Sequence, residues 1–380
     1  MQRHLCVAVY GLAMGEADTD AAGGDLKLRD FLPRPAVRVA EHRVERAARP
    51  AIDVHNHLGR WLTADGDWAA PDVARLLADM DAASVRAIVN LDGRWGDELE
   101  ANLERYDRRY PGRFATFCHL DWAETSAPGF GERLAQSLRR SLAVGARGLK
   151  VWKDLGLGLT DERGELLLPD DERLAPVWQA AAEAGVPVLI HTADPLAFFA
   201  PVDAVNERLE ELLLNPGWSY AHLGSGHYER LLEALEALVA ANPATTFVAA
   251  HVAGAAEDLD RVERWLGAYP NLFVDIAARV AELGRQPRRA RQLIVRYADR
   301  VLFGTDVFPP NLEEYAIHFR FLETEDEHFA YSPDEPPPQG RWRISGLGLP
   351  GDVLDLVYAG TAARLIPGLE LGPCLTGAAR

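Results

Sequence analysis

From residue 50 onward, short apolar runs rich in β-branched residues alternate with longer Ala/Leu/Arg stretches at helical spacing. The runs begin at Ala51 (AIDVH), Val85 (VRAIVNL), Phe114 (FATFCHL), Ala146 (ARGLKVW), Val186 (VPVLIHT), Thr246 (TFVAAHV), Asn271 (NLFVDIA) and Arg300 (RVLFGTD). Near-continuous apolar character suits strands buried on both faces, and a helix between successive strands makes them parallel. Eight such units predict an α/β fold, a closed (β/α)8 TIM barrel rather than an open sheet. Helices are expected over Pro71–Met80, with proline in its first turn, over Leu231–Val239, which stops before Asn242-Pro243, and over Asp352–Leu365 at the end.

Two stretches break the rhythm. An extended loop/helix insertion after strand five, 194–243, contains Phe198-Phe199, Arg208 and Trp218. A long loop after strand eight, 323–348, contains Pro336-Pro-Pro338 and Trp342. Loops at this end of a barrel shape the mouth of the site. The barrel is assigned to 49–366, a partly disordered N-terminal extension to 1–48 and a C-terminal tail to 367–380. The extension contains an acidic, Gly-rich stretch, Glu16–Gly24, and an apolar run, Leu5–Met14. That run reads either as a short export signal without a strong basic region or as sequence preceding a true start at Met14. A cytoplasmic location is the expectation.

Composition changes this picture little. Forty basic against 57 acidic residues give a net charge of -17, which argues against nucleic acid and anionic membrane as partners. A small-molecule substrate is the expected partner, with a homodimer as the expected assembly. Cys6, Cys118 and Cys374 are far apart and odd in number, so neither a disulfide framework nor a thiolate zinc site is expected, and Cys118 reads as a buried thiol.

The chemistry lies where the apolar runs end. His55 and His57 close strand one, two apart and therefore expected on one side. His191 ends strand five, His251 strand six and Asp306 strand eight. Strand C-termini are where barrel sites form, and closure brings strands one and eight together. Imidazoles and a carboxylate make a nitrogen/oxygen ligand set suited to one divalent metal, Zn2+ first, with Mn2+ or Fe2+ as alternatives. The metal set is His55, His57, His191 and Asp306, with His251 beside it. Arg279, just past strand seven, is a candidate for holding a substrate carboxylate or for a structural ion pair. Lys150 and Trp152 on strand four are further substrate-binding candidates; Asp53 is read as a hydrogen-bond acceptor supporting strand one.

These residues resemble the amidohydrolase superfamily, in the amidohydrolase-related branch that includes aminocarboxymuconate-semialdehyde decarboxylase. The matching pieces are IDVHNH, VLIH, FVAAH, NLFVD, LFGTD and the closing LDLVYAGTAARLI, over roughly residues 50 to 366. The resemblance implies that His55, His57 and His191 bind one metal, that Asp306 is a ligand and base, and that His251 is an acid/base beside the metal or a fourth ligand. It leaves open whether Lys150 supports the site, binds substrate or, carbamylated, bridges two metals. Thr361 departs from the family's usual Asn, and His55 departs from the Glu common in neighbouring aromatic-acid decarboxylases. The expected activity is metal-dependent hydrolysis of an amide, lactone or ester of a small carboxylated substrate. Non-oxidative decarboxylation of an unsaturated or aromatic acid is the alternative, and a non-catalytic metal-binding barrel a minor one.

Overall fold

Eight short strands run parallel: β1 (Ala51–Asn56), β2 (Val85–Asn90), β3 (Phe114–Thr116), β4 (Leu149–Val151), β5 (Val188–Ile190), β6 (Phe247–Ala249), β7 (Leu272–Asp275) and β8 (Val301–Leu302). Each begins within one of the eight apolar runs, and only β1 extends past the end of its run, by Asn56. In this computed structural model, which describes residues 26–369, regular pairing joins β1-β2-β3 and β4-β5-β6-β7-β8. Individual hydrogen bonds carry the two remaining seams. Between β3 and β4, the Cys118 N–H donates to the Gly148 carbonyl at 2.9 Å and the Lys150 N–H to Cys118 at 2.8 Å. Between β8 and β1, Val54 donates to Phe303 at 3.0 Å and Asp306 to His55 at 2.8 Å. The fold is a (β/α)8 TIM barrel.

Two apolar layers follow from the strand alternation. Ile52, Val54, Ala87, Val89, Ala115, Leu189, Val248, Phe273 and Leu302 pack in the interior with Ala359, Ala362 and Ile366 of the closing helix. Ala51, Val85, Ile88, Leu149, Val151, Val188 and Val274 face the surrounding helices. The closing helix covers residues 351–365, with a π-helical turn at Leu356–Gly360. The helix expected from Pro71 is Val73–Ala83, capped by the Asp72 carboxylate on the Arg75 N–H. The Leu231–Val239 segment lies inside the longer helix Gly224–Ala241. Gly304 lets β8 approach β1: a Cβ there would lie 2.9 Å from His55 Cβ.

The chain divides into two units, one ending at Arg38 and one starting at Val39. Within the described residues the first contributes a 3-10 turn, Leu28–Asp30; the second carries every strand. The Leu5–Met14 run, the Glu16–Gly24 stretch, Cys6 and Cys374 lie outside the described residues. Cys118 is a buried free thiol, its pKa pushed up to about 12 by burial. Among the described residues no helix is long and apolar enough to cross a membrane.

Candidate metal centre

The five residues singled out at strand ends come together at one end of the barrel. His55 lies in β1 and His57 just past it, His191 follows β5, His251 follows β6 and Asp306 lies beyond β8. Simple alternation does not produce this arrangement. Val54 packs in the barrel interior, yet its neighbour His55 also lines the cavity at the mouth. The register of β1 against β2 shifts between Asp53 and Asn56, and such a bulge re-aims a side chain. At β6 a different device does the same. Ala250 packs inward, and His251 turns to the cavity from a left-handed backbone, φ 59°, followed by Val252 at 57°. Positive φ at a β-branched residue is costly, and such strain persists where the surroundings hold it. Here the Asp275 carboxylate accepts the His251 N–H at 2.8 Å.

Each key imidazole is oriented from its Nδ1 side. His55 Nδ1 donates to Asp275 Oδ2 at 2.9 Å, His57 Nδ1 to Asp92 Oδ1 at 2.7 Å, and His251 Nδ1 to the Ala277 carbonyl at 2.8 Å. Carboxylates and carbonyls only accept, so Nδ1 carries the proton in all three rings and Nε2 presents a lone pair when the ring is neutral. Those lone pairs converge on Asp306. Its Oδ1 lies 3.2 Å from His57 Nε2 and 3.8 Å from His55 Nε2, and its Oδ2 3.9 Å from His251 Nε2. Acceptors facing one another at this range require a cation or a proton between them. One ligand atom from each of His55, His57 and Asp306 lies within 4.8 Å of the others, and so do atoms of His55, His251 and Asp275. Asp275 is already engaged by His55, His251 and the Ala277 N–H, so the first trio is the better candidate cation site. Borderline nitrogen and hard oxygen donors with fixed second partners fit a divalent metal.

The electrostatics follow from that crowding. Burial opposes charge on His57, but the Asp92 carboxylate and then Asp306 outweigh it and push its pKa up to about 9. Burial, then the Lys150 ammonium, holds His55 well below the usual imidazole range; burial, then His191 and His55, does the same to His251. Burial alone would raise Asp306, yet the imidazoles of His55, His57 and His251 hold it well below the usual carboxylate range. Lys150 is fully buried and is not part of the cavity lining. Its Nζ lies 3.4 Å from His55 Nε2, and burial brings its pKa down to about 8.

His191 shares the cavity but stands apart from the trio. Its Nε2 donates to Asp194 Oδ1 at 3.2 Å, and Asp194 Oδ2 accepts from Lys153 Nζ at 2.5 Å. Trp152, Arg279, Asp194 and Lys153 line the same cavity of about 450 Å³. So do Phe198, Trp218 and Phe308, which with Trp152 make much of its surface aromatic. Asp53 reaches across to β8, accepting from the Thr305 N–H at 3.0 Å, Thr305 Oγ1 at 2.7 Å and Tyr315 OH at 3.0 Å, and so fixes the segment that carries Asp306. Sequence reasoning missed Asp92, Asp275 and Asp194 as orienting groups. The available signal was a carboxylate at or just past the end of β2, β7 and β5.

Asp92 provides a direct test of this support. Its carboxylate takes His57 Nδ1, Trp61 Nε1 at 2.8 Å and the Gly59 N–H at 3.1 Å. Asp92→Ala is expected to weaken zinc affinity about 10- to 100-fold while zinc stoichiometry at saturation is kept. Competition with a chromogenic chelator measures this, and an unchanged affinity would contradict the assigned role.

Comparison with known proteins addresses the fold and the family. The amidohydrolase family model matches residues 52–368. No curated protein matches the chain significantly. Among solved structures, a putative amidohydrolase from Staphylococcus aureus is 14% identical, with 83% of this chain and 99% of that one covered at a TM-score of 0.52. An uncharacterised TIM-barrel protein from Bordetella bronchiseptica is 16% identical, covering 83% and 97%, at 0.50. A 2,6-dihydroxybenzoate decarboxylase from Rhizobium is 18% identical, covering 77% and 96%, at 0.47. At these identities the solved structures speak to the fold alone, whereas the family model spans the strand-end histidines and Asp306 together: the chain belongs to the amidohydrolase family.

Proposed function

We propose that this protein is a metal-dependent hydrolase acting on an amide, lactone or ester of a small carboxylated substrate. The observation that carries the reading is the convergence of His55 Nε2, His57 Nε2 and Asp306 Oδ1, three potential ligand atoms, the two imidazoles being held from behind by Asp275 and Asp92. These residues would hold one divalent cation, with His191 joining them once its Nε2 leaves Asp194. Zinc suits the donors best, with manganese and iron as alternatives. Such a cation lowers the pKa of a water towards neutrality and polarises a carbonyl.

The chain's own residues supply the rest. Asp306, held ionised, accepts the proton of the attacking water and returns it to the leaving group. His251 is neutral with Nδ1 committed to Ala277, so its Nε2 acts first as a proton acceptor. Only after it takes up a proton does it stabilise a developing oxyanion. Arg279 holds a substrate carboxylate, and Trp152 packs against the substrate's planar part. Lys150 Nζ lies 3.4 Å from His55 Nε2, a contact that gives way when that nitrogen takes up a cation.

The aromatic lining from Trp152, Phe198, Trp218 and Phe308 favours one second reading, decarboxylation of a planar unsaturated or aromatic acid on the same residues. Incubating zinc-loaded protein with carboxylated lactones, esters and amides and, separately, with unsaturated and aromatic acids distinguishes the two. Acid release without CO2 is the expected result. CO2 from any of the acids, with no hydrolysis, would replace the hydrolase reading by the decarboxylase one.

A further inference from the structure

We propose that Gln339, carried by the long segment after β8, pairs with Arg279 past β7 to form the subsite that selects a carboxylate, which makes Gln339 a specificity-determining residue. This deepens the function proposed above and rests on it for the reaction, but not for the binding.

Two donors are aimed at one oxygen beside the cavity. Arg279 Nη1 donates to the carbonyl of its neighbour Ala278 at 2.8 Å, and Gln339 Nε2 approaches the same oxygen at 3.4 Å. Gln339 Oε1 is buried without a partner and Nε2 has only the long contact to Ala278, so little holds the amide in this orientation and its Nε2 can turn to an incoming carboxylate. Both side chains and Ala278 line the cavity that holds the histidine–Asp306 cluster. A guanidinium has five N–H groups and matches a carboxylate with two of them.

Arg279 is available because its acidic surroundings are already taken. Among the described residues no carboxylate lies within ion-pair distance of it. Arg208, itself buried, engages Glu282 and, at 2.7 Å, Glu211. Arg285 takes Glu207 at 2.8 Å. Glu257 accepts the Leu196 N–H at 3.2 Å, and burial raises its pKa, which disfavours its charged form.

A further ion pair and a stacked ring fix the segment that carries Gln339. Arg341, two residues on, holds Glu210 of the insertion with bonds of 2.6 and 2.7 Å. The Trp342 ring lies 4.1 Å from the Arg285 guanidinium and 5.5 Å from that of Arg208. The insertion after β5 and the segment after β8 are thus tied together, and the tie presents Gln339 beside Arg279. The ligand class is a small planar carboxylate whose ring packs on Trp152 or Trp218.

The test uses full-length metal-free protein, so that no bound metal ion attracts the carboxylate. Benzoate and benzamide are titrated by calorimetry against the parent, Arg279→Gln, Gln339→Leu and Gln339→Glu. Benzoate is expected to bind at least about tenfold tighter than benzamide, since one charge-assisted pair is worth roughly that factor. Arg279→Gln is expected to remove that preference and Gln339→Leu to weaken benzoate about three- to tenfold. Gln339→Glu is expected to abolish benzoate binding while benzamide still binds, which excludes misfolding as the cause. Equal affinity for benzoate and benzamide in the parent, or benzoate affinity unaffected by the two Gln339 substitutions, would overturn the proposal. Zinc uptake is measured on the same variants after the metal is restored and reports separately on the metal reading.

Discussion

Replacing both His55 and His57 by alanine is expected to reduce bound zinc from about one ion per chain to background and to lower turnover by at least about 10³-fold. The size of the effect follows from what is removed. Each imidazole is fully buried and has its Nδ1 committed, to Asp275 or Asp92. Each therefore presents a pre-aimed Nε2 with no conformational search on binding, that of His57 once its proton has left. Without them Asp306 and His191 are the remaining members of the set, and His191 Nε2 is engaged by Asp194. Two weak, unconverged donors do not compete with water for zinc. Elemental analysis of protein refolded or expressed with zinc reads the outcome. Circular dichroism of the double variant establishes that the barrel is intact, since neither ring belongs to the apolar layers.

Asp306→Asn is expected to lower kcat about 10²- to 10⁴-fold even at saturating zinc. Asparagine keeps the shape and one carbonyl oxygen towards His57 but cannot take a proton. The surrounding imidazoles hold Asp306 ionised, so the wild-type side chain is ready to accept one. The experiment also separates its two assigned roles. If Asp306 serves only as a ligand, activity returns as zinc is raised; if it is the base, the loss persists at full occupancy. Backbone effects are small in this variant, because asparagine tolerates the φ of 60° that Asp306 adopts.

The barrel and the donor set were legible because each follows from a local rule. Continuous apolar runs mark doubly buried strands, and polar residues ending those runs mark the mouth; β1 starts at Ala51 and β2 at Val85, where their runs begin. The aiming of the side chains was not legible. His55 reaches the cavity through a register shift, and His251 through a left-handed residue that no glycine announces. Both depend on long-range partners, Asp275 above all, which lies 220 positions from His55. Lys150 follows the alternation inward, yet how deep it sits depends on the packing of the whole mouth, and the structure places its Nζ against His55 Nε2 rather than in the cavity wall. The ion-pair tie through Arg208, Glu282, Arg341 and Glu210 joins segments separated by more than 70 residues. Nothing in either segment's own pattern encodes that pairing.

The most direct test of the account is a crystal structure of the zinc-loaded protein with diffraction recorded on both sides of the zinc absorption edge. The account predicts one anomalous peak in the cavity, in contact with His55 Nε2, His57 Nε2 and the Asp306 carboxylate, with Asp92 and Asp275 still holding the two rings from behind. No peak in the cavity, or a peak that touches neither His55 nor His57, would contradict it.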